Sequence, residues 1–315
     1  MTQTDIHTPK GFRDILPDLA QKRRKIINTI VPILEKHNFV PIETPIVEFA
    51  ETLTGKYGEE ERLIYKFTDR GDRNLALRFD LTVPLARYIA TYNPPLPFRR
   101  YQIGQVFRGE NPQRGRWREF TQLDFDTVGS DSLEEDAKII ACALDASRAI
   151  GLKKAIMAIN DRKNFEGIPL EAVRSFDKIN KIRESGVRQE LSEKGFTKEK
   201  INEFINRLLS DNKTEDMLRI EDELKKYKDE NQKDKYIFGH DYYFDSSLAR
   251  GLDYYTGSIF ELKSEGDLQA PSLGAGGRYN NLVGMFSKRG NLPAGRPVPA
   301  VGFSFGLDRI CEIAD

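Results

Sequence analysis

The residues best suited to chemistry are arginines gathered between two apolar stretches. From Arg99 to Asp126 the chain carries six of them (Arg99, Arg100, Arg108, Arg114, Arg116 and Arg118) and no lysine. A guanidinium is a planar fork that binds phosphate or carboxylate bidentately, so a lysine-free cluster points to oxyanion recognition. Arg108 closes one strand-like run, and Arg116 and Arg118 open the next. Folded back on itself, the segment holds guanidinium groups along both sides of a nucleotide's phosphates. The competing reading is a solvated hairpin with ion pairs to Glu110 and Glu119. A second constellation is SLARGLDYYTGSIFE, Ser247–Glu261, where Arg250 precedes Gly251 and two adjacent tyrosines, Tyr254 and Tyr255, follow. In an extended segment neighbours point to opposite faces, so one tyrosine lines a pocket while the other packs. Its competing reading is a core strand with an Arg250–Asp253 pair. The third is GAGGRY from Gly274, followed by PAVGFSFGLDR ending at Arg309. Glycine pairs let backbone approach a ligand, and an arginine at a helix start reaches a polyphosphate. A structural arginine is the alternative there.

Other chemistries are poorly supplied. Three histidines (His7, His37, His240) and two distant cysteines (Cys142, Cys311) argue against a metal site or a disulfide framework. No GxxxxGK[ST] phosphate loop occurs, and no strand–helix unit surrounds the glycine pairs as a dinucleotide fingerprint requires. Lysine plus arginine and aspartate plus glutamate both number 49, so any nucleic-acid contact must come from a local basic patch. With 39% hydrophobic and 31% charged residues the chain reads as globular, without an apolar run for a membrane span. The opening MTQTDIHTPKGFRD lacks a signal-peptide core, and a cytoplasmic location is expected.

The elements that must position these residues follow from periodicity. Leu19 to His37 reads as a helix with Ile26, Ile27, Ile30, Val31 and Leu34 on one face. FVPIETPIVEF has the β-branched content of a strand interrupted by prolines. Leu75–Leu81, Tyr101–Phe107, Arg118–Val128, Ser258–Leu262 and Ala300–Phe305 read as strands; Leu133–Ile150 and Leu307–Ile313 read as helices. Between Asp161 and Lys235, 36 of 75 residues are charged, 18 of each sign, against 62 of the other 240. Ile201, Phe204, Ile205, Leu208 and Leu209 recur there at helical spacing. The pattern predicts an α+β fold: a largely antiparallel sheet flanked by helices, residues 1–160 and 236–315, with a small helical insertion domain over 161–235.

The order and spacing of the motifs resemble one family. FRGENPQRGRWREFTQ resembles motif 2 of class II aminoacyl-tRNA synthetases in the form that histidyl-tRNA synthetases use. ARGLDYYTG is similar to the histidine-specific signature, PAVGFSFGLDRI to motif 3, and Pro45 in PIETPIVEF to motif 1, the dimer-interface element. TPKGFRD and LRFDLTVPLARYIA match as well. The resemblance covers nearly the whole chain apart from the charged segment, which such enzymes carry as a variable helical domain. It implies a class II synthetase-like sheet that activates L-histidine with ATP and passes the histidyl group to tRNA(His). The substrate carboxylate is already a competent nucleophile, so no catalytic serine, cysteine or histidine is implied.

By the same resemblance, Arg108 contacts the α-phosphate, Arg309 the γ-phosphate, and Glu110 and Arg116 help fix the nucleotide. Arg250 neutralises charge that develops where other class II enzymes place a metal ion. Asp80, Thr82 and Gln122 hold the α-amino group; Asp126 and Tyr255 read the imidazole, with Tyr254 and Tyr279 nearby. Many bacterial members have glutamate at positions 80 and 126. Gln113 and Arg114 face the acceptor end of tRNA. ATP is expected with Mg²⁺, whose protein ligands the motifs do not assign, and the protein is expected to be a homodimer away from any membrane. The chain ends six residues after Arg309, so the family's C-terminal anticodon-binding domain, about 100 residues in a domain of ordinary small size, is expected to be absent. The alternative is the non-catalytic relative that serves as regulatory subunit of ATP phosphoribosyltransferase. Such relatives lose parts of the motif 2 arginine set or of RGLDYY, whereas Arg108, Arg116, Arg250 and Arg309 are all present here.

Overall fold

The structure is a computed structural model that describes residues 6–113, 115–210, 212–249, 254–264, 272–289 and 297–314. The chain opens with α1 (Pro17–Lys36), β1 (Val40–Pro41), β2 (Val47–Phe49), α2 (Ala50–Leu53), β3 (Lys66–Thr68), β4 (Asn74–Leu77) and α3 (Thr82–Tyr92). The hairpin β5 (Phe98–Phe107) and β6 (Glu119–Val128) follows, then α4 (Leu133–Ala149) and β7 (Ala155–Asp161). Four helices come next: α5 (Leu170–Phe176), α6 (Ile179–Glu193), α7 (Lys198–Leu209) and α8 (Glu215–Lys225). The last part holds β8 (Tyr242–Phe244), β9 (Ser258–Ser264), β10 (Gly274–Arg278), β11 (Ala300–Gly306) and α9 (Leu307–Ile313).

Eight strands form one sheet in the order β1-β5-β6-β11-β10-β9-β7-β8. Its six central strands pair antiparallel, and only the outer pairs β1–β5 and β7–β8 are parallel. This is the largely antiparallel sheet that the hairpin-rich sequence implies. Helices α1, α4 and α9 cover one face. Ile26, Ile30 and Leu34 of α1 join Phe125, Phe303, Phe305 and Phe260 of the strands in one buried cluster. The spacing 26, 30, 34 is the i, i+4 ridge of a helix, which is why the periodicity located α1 correctly.

The opposite face carries the polar residues, because side chains alternate along a strand. The ladder register sets Arg100, Asp126, Gly302, Gly277 and Ile259 side by side in one row across five strands. The next row is Gln102, Asp124, Ser304, Ala275 and Glu261. Large polar groups on β5 and β6 thus lie next to small residues on β10 and β11.

Two expected strands come out differently. FVPIETPIVEF divides: β1 joins the large sheet, whereas β2 pairs with β4 in a separate three-stranded sheet. Proline cannot donate to a ladder, so Pro45 falls in the connection between the two sheets. The run expected over Leu75–Leu81 stops at Leu77. Beyond it Asp80 turns its carboxylate onto the first turn of α3, where Oδ1 accepts from the Thr82 and Val83 amides at 3.1 and 2.9 Å. These are N–H groups that the helix itself cannot satisfy.

Among the described residues the charged segment carries the four α-helices α5 to α8. Thr197 and Thr214 cap α7 and α8 through their hydroxyls. Ile201, Phe204, Ile205 and Leu208 are buried as expected, but Leu209 is 45% exposed because α7 ends there. Ile220 and Leu224 of α8 pack in the cluster behind the large sheet, while α5 and α7 contribute to the cluster on its other side. Among the described residues no helix is long and apolar enough to cross a membrane.

One buried ion pair ties the two halves of the sheet body together. Arg278 on β10 donates from Nε to Asp136 of α4 at 3.1 Å, and its other nitrogens bond the Ser130 and Ser132 carbonyls at 3.0 Å each. Ser258 on β9 donates to the same carboxylate. Asp136→Ala strands a buried guanidinium, and a loss of roughly 3–5 kcal/mol is expected in urea unfolding. A loss below ~1 kcal/mol, the range of exposed pairs, would show that the contact does not hold α4 to the sheet.

Candidate active site

A cleft of about 370 Å³ opens on the polar face of the large sheet. Its floor comes from β6, whose alternation turns Gln122, Asp124 and Asp126 the same way. Across from them β11 offers Gly306, Ser304 and Gly302. A Cβ on Gly302 would sit 1.8 Å from Asp126 Oδ1, so the aspartate occupies the space that a side chain there would need.

One end of the cleft is acidic and largely buried. Arg100 is fully buried beneath it, with Nη2 2.7 Å from Asp126 Oδ2 and 4.0 Å from Asp124 Oδ2. The Tyr279 hydroxyl donates to Asp126 Oδ1 at 2.5 Å, while Oδ2 has only the ion pair with Arg100 and no hydrogen bond. Asp80 accepts from the Tyr57 hydroxyl at 3.0 Å through the oxygen that already caps α3. Burial pushes the Asp80 and Asp126 carboxyls above the ordinary range. The Tyr279 hydroxyl is likewise pushed up, first by burial and then by the charge of Asp126. Asp124 is pushed up to about 7, chiefly by burial, with Arg100 opposing and Asp126 and Asp80 adding to the rise.

The other end is cationic. Arg108 donates from Nε to the Phe79 carbonyl at 3.2 Å, and its guanidinium lies over the Phe79 and Phe120 rings at 4.4 and 5.1 Å. Arg116 Nη1 pairs with Glu110 Oε2 at 3.2 Å. Arg309, in the first turn of α9, donates to the Ser272 carbonyl at 2.8 Å. All four side chains line the cleft. Anchoring by carbonyls and rings fixes these guanidinium groups before a ligand arrives, and a polyanion can then bind without much reordering. The arrangement suits an elongated ligand that is anionic at one end and cationic at the other.

Most of the residues expected at the site converge here. Asp80, Thr82, Arg108, Glu110, Arg116, Gln122, Asp126, Tyr254, Tyr255, Tyr279 and Arg309 all border the one cleft. Gln113 lies in the turn of the β5–β6 hairpin, its backbone bonded to Arg116. Arg114 and Arg250 lie outside the described residues. The arginine cluster is smaller than its sequence suggests. Arg99 faces away and pairs with Glu135 of α4, Arg100 is buried under Asp126, and Arg118 bonds the Glu110 and Lys10 carbonyls. Strand alternation separates Arg99 from Arg100, and of the five described arginines only Arg108 and Arg116 border the cleft. Tyr254 and Tyr255 both border it too, because the backbone there is a turn and not an extended strand. Their rings pack with centroids 4.9 Å apart. Tyr279 bonds Asp126 directly. Sequence reasoning counted Arg100 among the oxyanion-binding arginines and passed over Asp124 and Ser304; the i, i+2, i+4 series Gln122, Asp124, Asp126 was the available signal for Asp124.

Comparison with known proteins places this geometry. A histidyl-tRNA synthetase from a Nostoc species overlays with a TM-score of 0.77 at 29% identity, covering 98% of this chain and 75% of that one. An ATP phosphoribosyltransferase regulatory subunit/histidyl-tRNA synthetase from Bacillus halodurans overlays at 0.78 and 23% identity, over 100% and 84%, a likeness of fold. The fold is that of the class II aminoacyl-tRNA synthetases. Within that class, the family described as histidyl-tRNA synthetase matches residues 11–310. The histidine–tRNA ligase of Aeropyrum pernix is 41% identical over 335 aligned residues, 96% of this chain and 73% of that protein. The ligase of Helicobacter pylori is 39% identical over 96% of this chain and 74% of its own length. The chain belongs to the histidyl-tRNA synthetase family.

The Tyr279–Asp126 bond is open to a direct check. Tyr279→Phe removes the hydroxyl and leaves a buried carboxylate oxygen short of a donor, for an expected loss of roughly 1–3 kcal/mol in chemical unfolding. An unchanged midpoint would mean that Asp126 is satisfied without Tyr279.

Proposed function

We propose that this chain is a histidine–tRNA ligase, which activates L-histidine with ATP to histidyl-adenylate and transfers the histidyl group to tRNA(His). The observation that carries the reading is the polarity of a single cleft: fixed arginines at one end, buried carboxylates at the other, on one strand face. Membership of the family supplies the chemistry that such a cleft serves.

In this reading a histidine carboxylate oxygen attacks the α-phosphorus of ATP. The new bond is carboxylate O–P, the bond to the β-phosphate oxygen breaks, and pyrophosphate leaves with the electron pair. Arg108 stabilises the α-phosphate, Arg309 the γ-phosphate, and Glu110 and Arg116 hold the nucleotide. Arg250 takes its role from the family signature alone. Asp80, Thr82 and Gln122 receive the α-amino group. Asp126, held by Arg100 and Tyr279, reads the imidazole together with Tyr254 and Tyr255. The rate enhancement comes from positioning and charge stabilisation. Selectivity comes from buried polar groups that a side chain other than imidazole leaves unpaired. Mg²⁺ arrives as MgATP, part of the substrate. Among the described residues no three His, Cys, Asp or Glu side chains gather to hold an ion of the protein's own.

Further assignments follow from the same reading. Gln113, in the turn of the hairpin, meets the acceptor end of tRNA, and Arg114 takes the same role from the family motif alone. Residues 161–235 are the helical insertion between the two catalytic pieces, 1–160 and 236–315. The surface around Pro45 is the dimer interface: Val40, Ile46, Val47, Phe49 and Phe67 are exposed there, an apolar edge that a partner would cover. The activity belongs to the cytoplasm.

Histidine-dependent exchange of pyrophosphate into ATP tests the proposal. The parent is expected to exchange, and Arg108→Ala to fall by roughly 100-fold or more, the scale of losing one transition-state donor. Exchange absent in the parent would favour a non-catalytic relative; an Arg108→Ala rate within a few-fold of the parent would remove that arginine from the mechanism.

A further inference from the structure

Besides Asp126 Oδ2, which lies 2.7 Å from the Arg100 guanidinium, three acceptor oxygens at the acidic end of the cleft have no hydrogen-bond partner although all are buried: Asp80 Oδ2, Gln122 Oε1 and Asp124 Oδ1. Their residues are 3%, 9% and 2% exposed, and all three line the cleft. Buried acceptors left unpaired are costly, so a set of them facing one space marks where a donor-rich ligand sits. An ammonium group brings three N–H donors and no acceptor. Asp80 and Gln122 already have that duty in the proposed function, on which this inference rests. Asp124 does not.

We propose that Asp124 is a further ligand of the substrate's α-ammonium group, taking one N–H beside Asp80 and Gln122. The surrounding hydrogen bonds prepare it for that role. Gln122 Nε2 donates to Ser304 Oγ at 2.8 Å, which turns the amide oxygen of Gln122 toward the cleft. The Ser304 hydroxyl in turn donates to Asp124. One serine on β11 thereby orients both neighbours on β6. Charged and titratable groups face Asp124 from each side. Arg100 lies below it on β5, Asp126 beyond it on β6, and Asp80 stands ahead of α3. Arg78, Tyr254 and Tyr279 also feel its charge, and Gln102 lies across the ladder.

The burial that leaves Asp124 short of donors also lifts its pKa to about 7. An ammonium binds the ionised carboxylate, so below that pH the bound state must release a proton. Histidine affinity is then expected to rise with pH, by at most about tenfold per unit, and to level off above neutrality. The imidazole of the ligand titrates nearby as well, which calls for a ligand that shares the imidazole and lacks the amine.

The experiment is calorimetric titration of the parent and Asp124→Asn, with L-histidine and with 3-(imidazol-4-yl)propionate, on both sides of neutral pH. Asp124→Asn is expected to weaken histidine by roughly tenfold or more above neutrality, as loss of a charge-assisted bond does. The variant should also lose the Asp124 share of the pH dependence. The amine-free analogue should bind parent and variant alike. Equal losses for both ligands, or no loss for histidine, overturn the proposal. Should Asp124→Asn fail to fold, a crystal structure of the parent with L-histidine decides the matter. An α-nitrogen within hydrogen-bond distance of an Asp124 carboxylate oxygen supports the role, and one beyond that distance overturns it. A parent that binds no histidine overturns the proposed function and this inference together, whereas failure in the variant arm alone leaves that function standing.

Discussion

Three aspartates share one end of one cleft, and two guanidinium groups make that possible: Arg100 counters Asp124 and Asp126, and Arg108 counters Asp80. Arg100 is fully buried with its Nη2 between Asp126 and Asp124, and Asp80 adds a third carboxylate to the field on both. Without a counter-charge, desolvation and mutual repulsion would drive all three to the neutral form, and the cleft would lose its selectivity for a cation. Only part of the Arg100 fork is satisfied, since Nε and Nη1 lack hydrogen-bond partners. Its value therefore lies in electrostatics more than in hydrogen bonding. The sheet register explains why no other residue can replace it: the position opposite Asp126 on β5 is Arg100, and the one on the other side is Gly302.

That register also divides labour between the two faces. Behind the sheet, phenylalanines of β6, β9 and β11 meet α1 and α4 in a continuous apolar core. In front, small residues of β10 and β11 leave room, and polar groups of β5 and β6 fill the rim. A one-residue slip of β11 against β6 would exchange these faces and place Phe303 where Gly302 now admits Asp126. The buried Arg278–Asp136 pair works against such a slip by fastening the adjacent strand β10 to α4.

The polarity of the cleft gives a simple account of why the family's motifs are spread along the chain. Its anion end draws on the β5–β6 hairpin and on the start of α9. The acidic end, which takes a cation, draws on β6 and on the turn before α3. These segments lie far apart in sequence and meet because β6 and β11 are adjacent strands of one sheet.

Much of this was legible in the residues alone. Helical periodicity in α1, the Phe98–Phe107 and Glu119–Val128 hairpin, the charge-rich helices and the motif arginines are local patterns, and local backbone preference is enough to reveal them. Other features had no local signature. Arg99 and Arg100 are chemically identical neighbours, yet one reaches α4 and the other is buried beneath Asp126, because only the packed helices decide which strand face is the back. FVPIETPIVEF reads as one strand, but pairing partners far away in sequence divide it between two sheets. Asp124 looks like an ordinary solvent-facing residue between Leu123 and Phe125. The strands and turns that close around it are distant in sequence, and desolvation by them turns a routine carboxylate into one that titrates near neutrality. Residue type and spacing determined what chemistry this chain can perform. Burial and cross-strand register, which depend on the whole fold, decided which charges are anchored and which face the cleft.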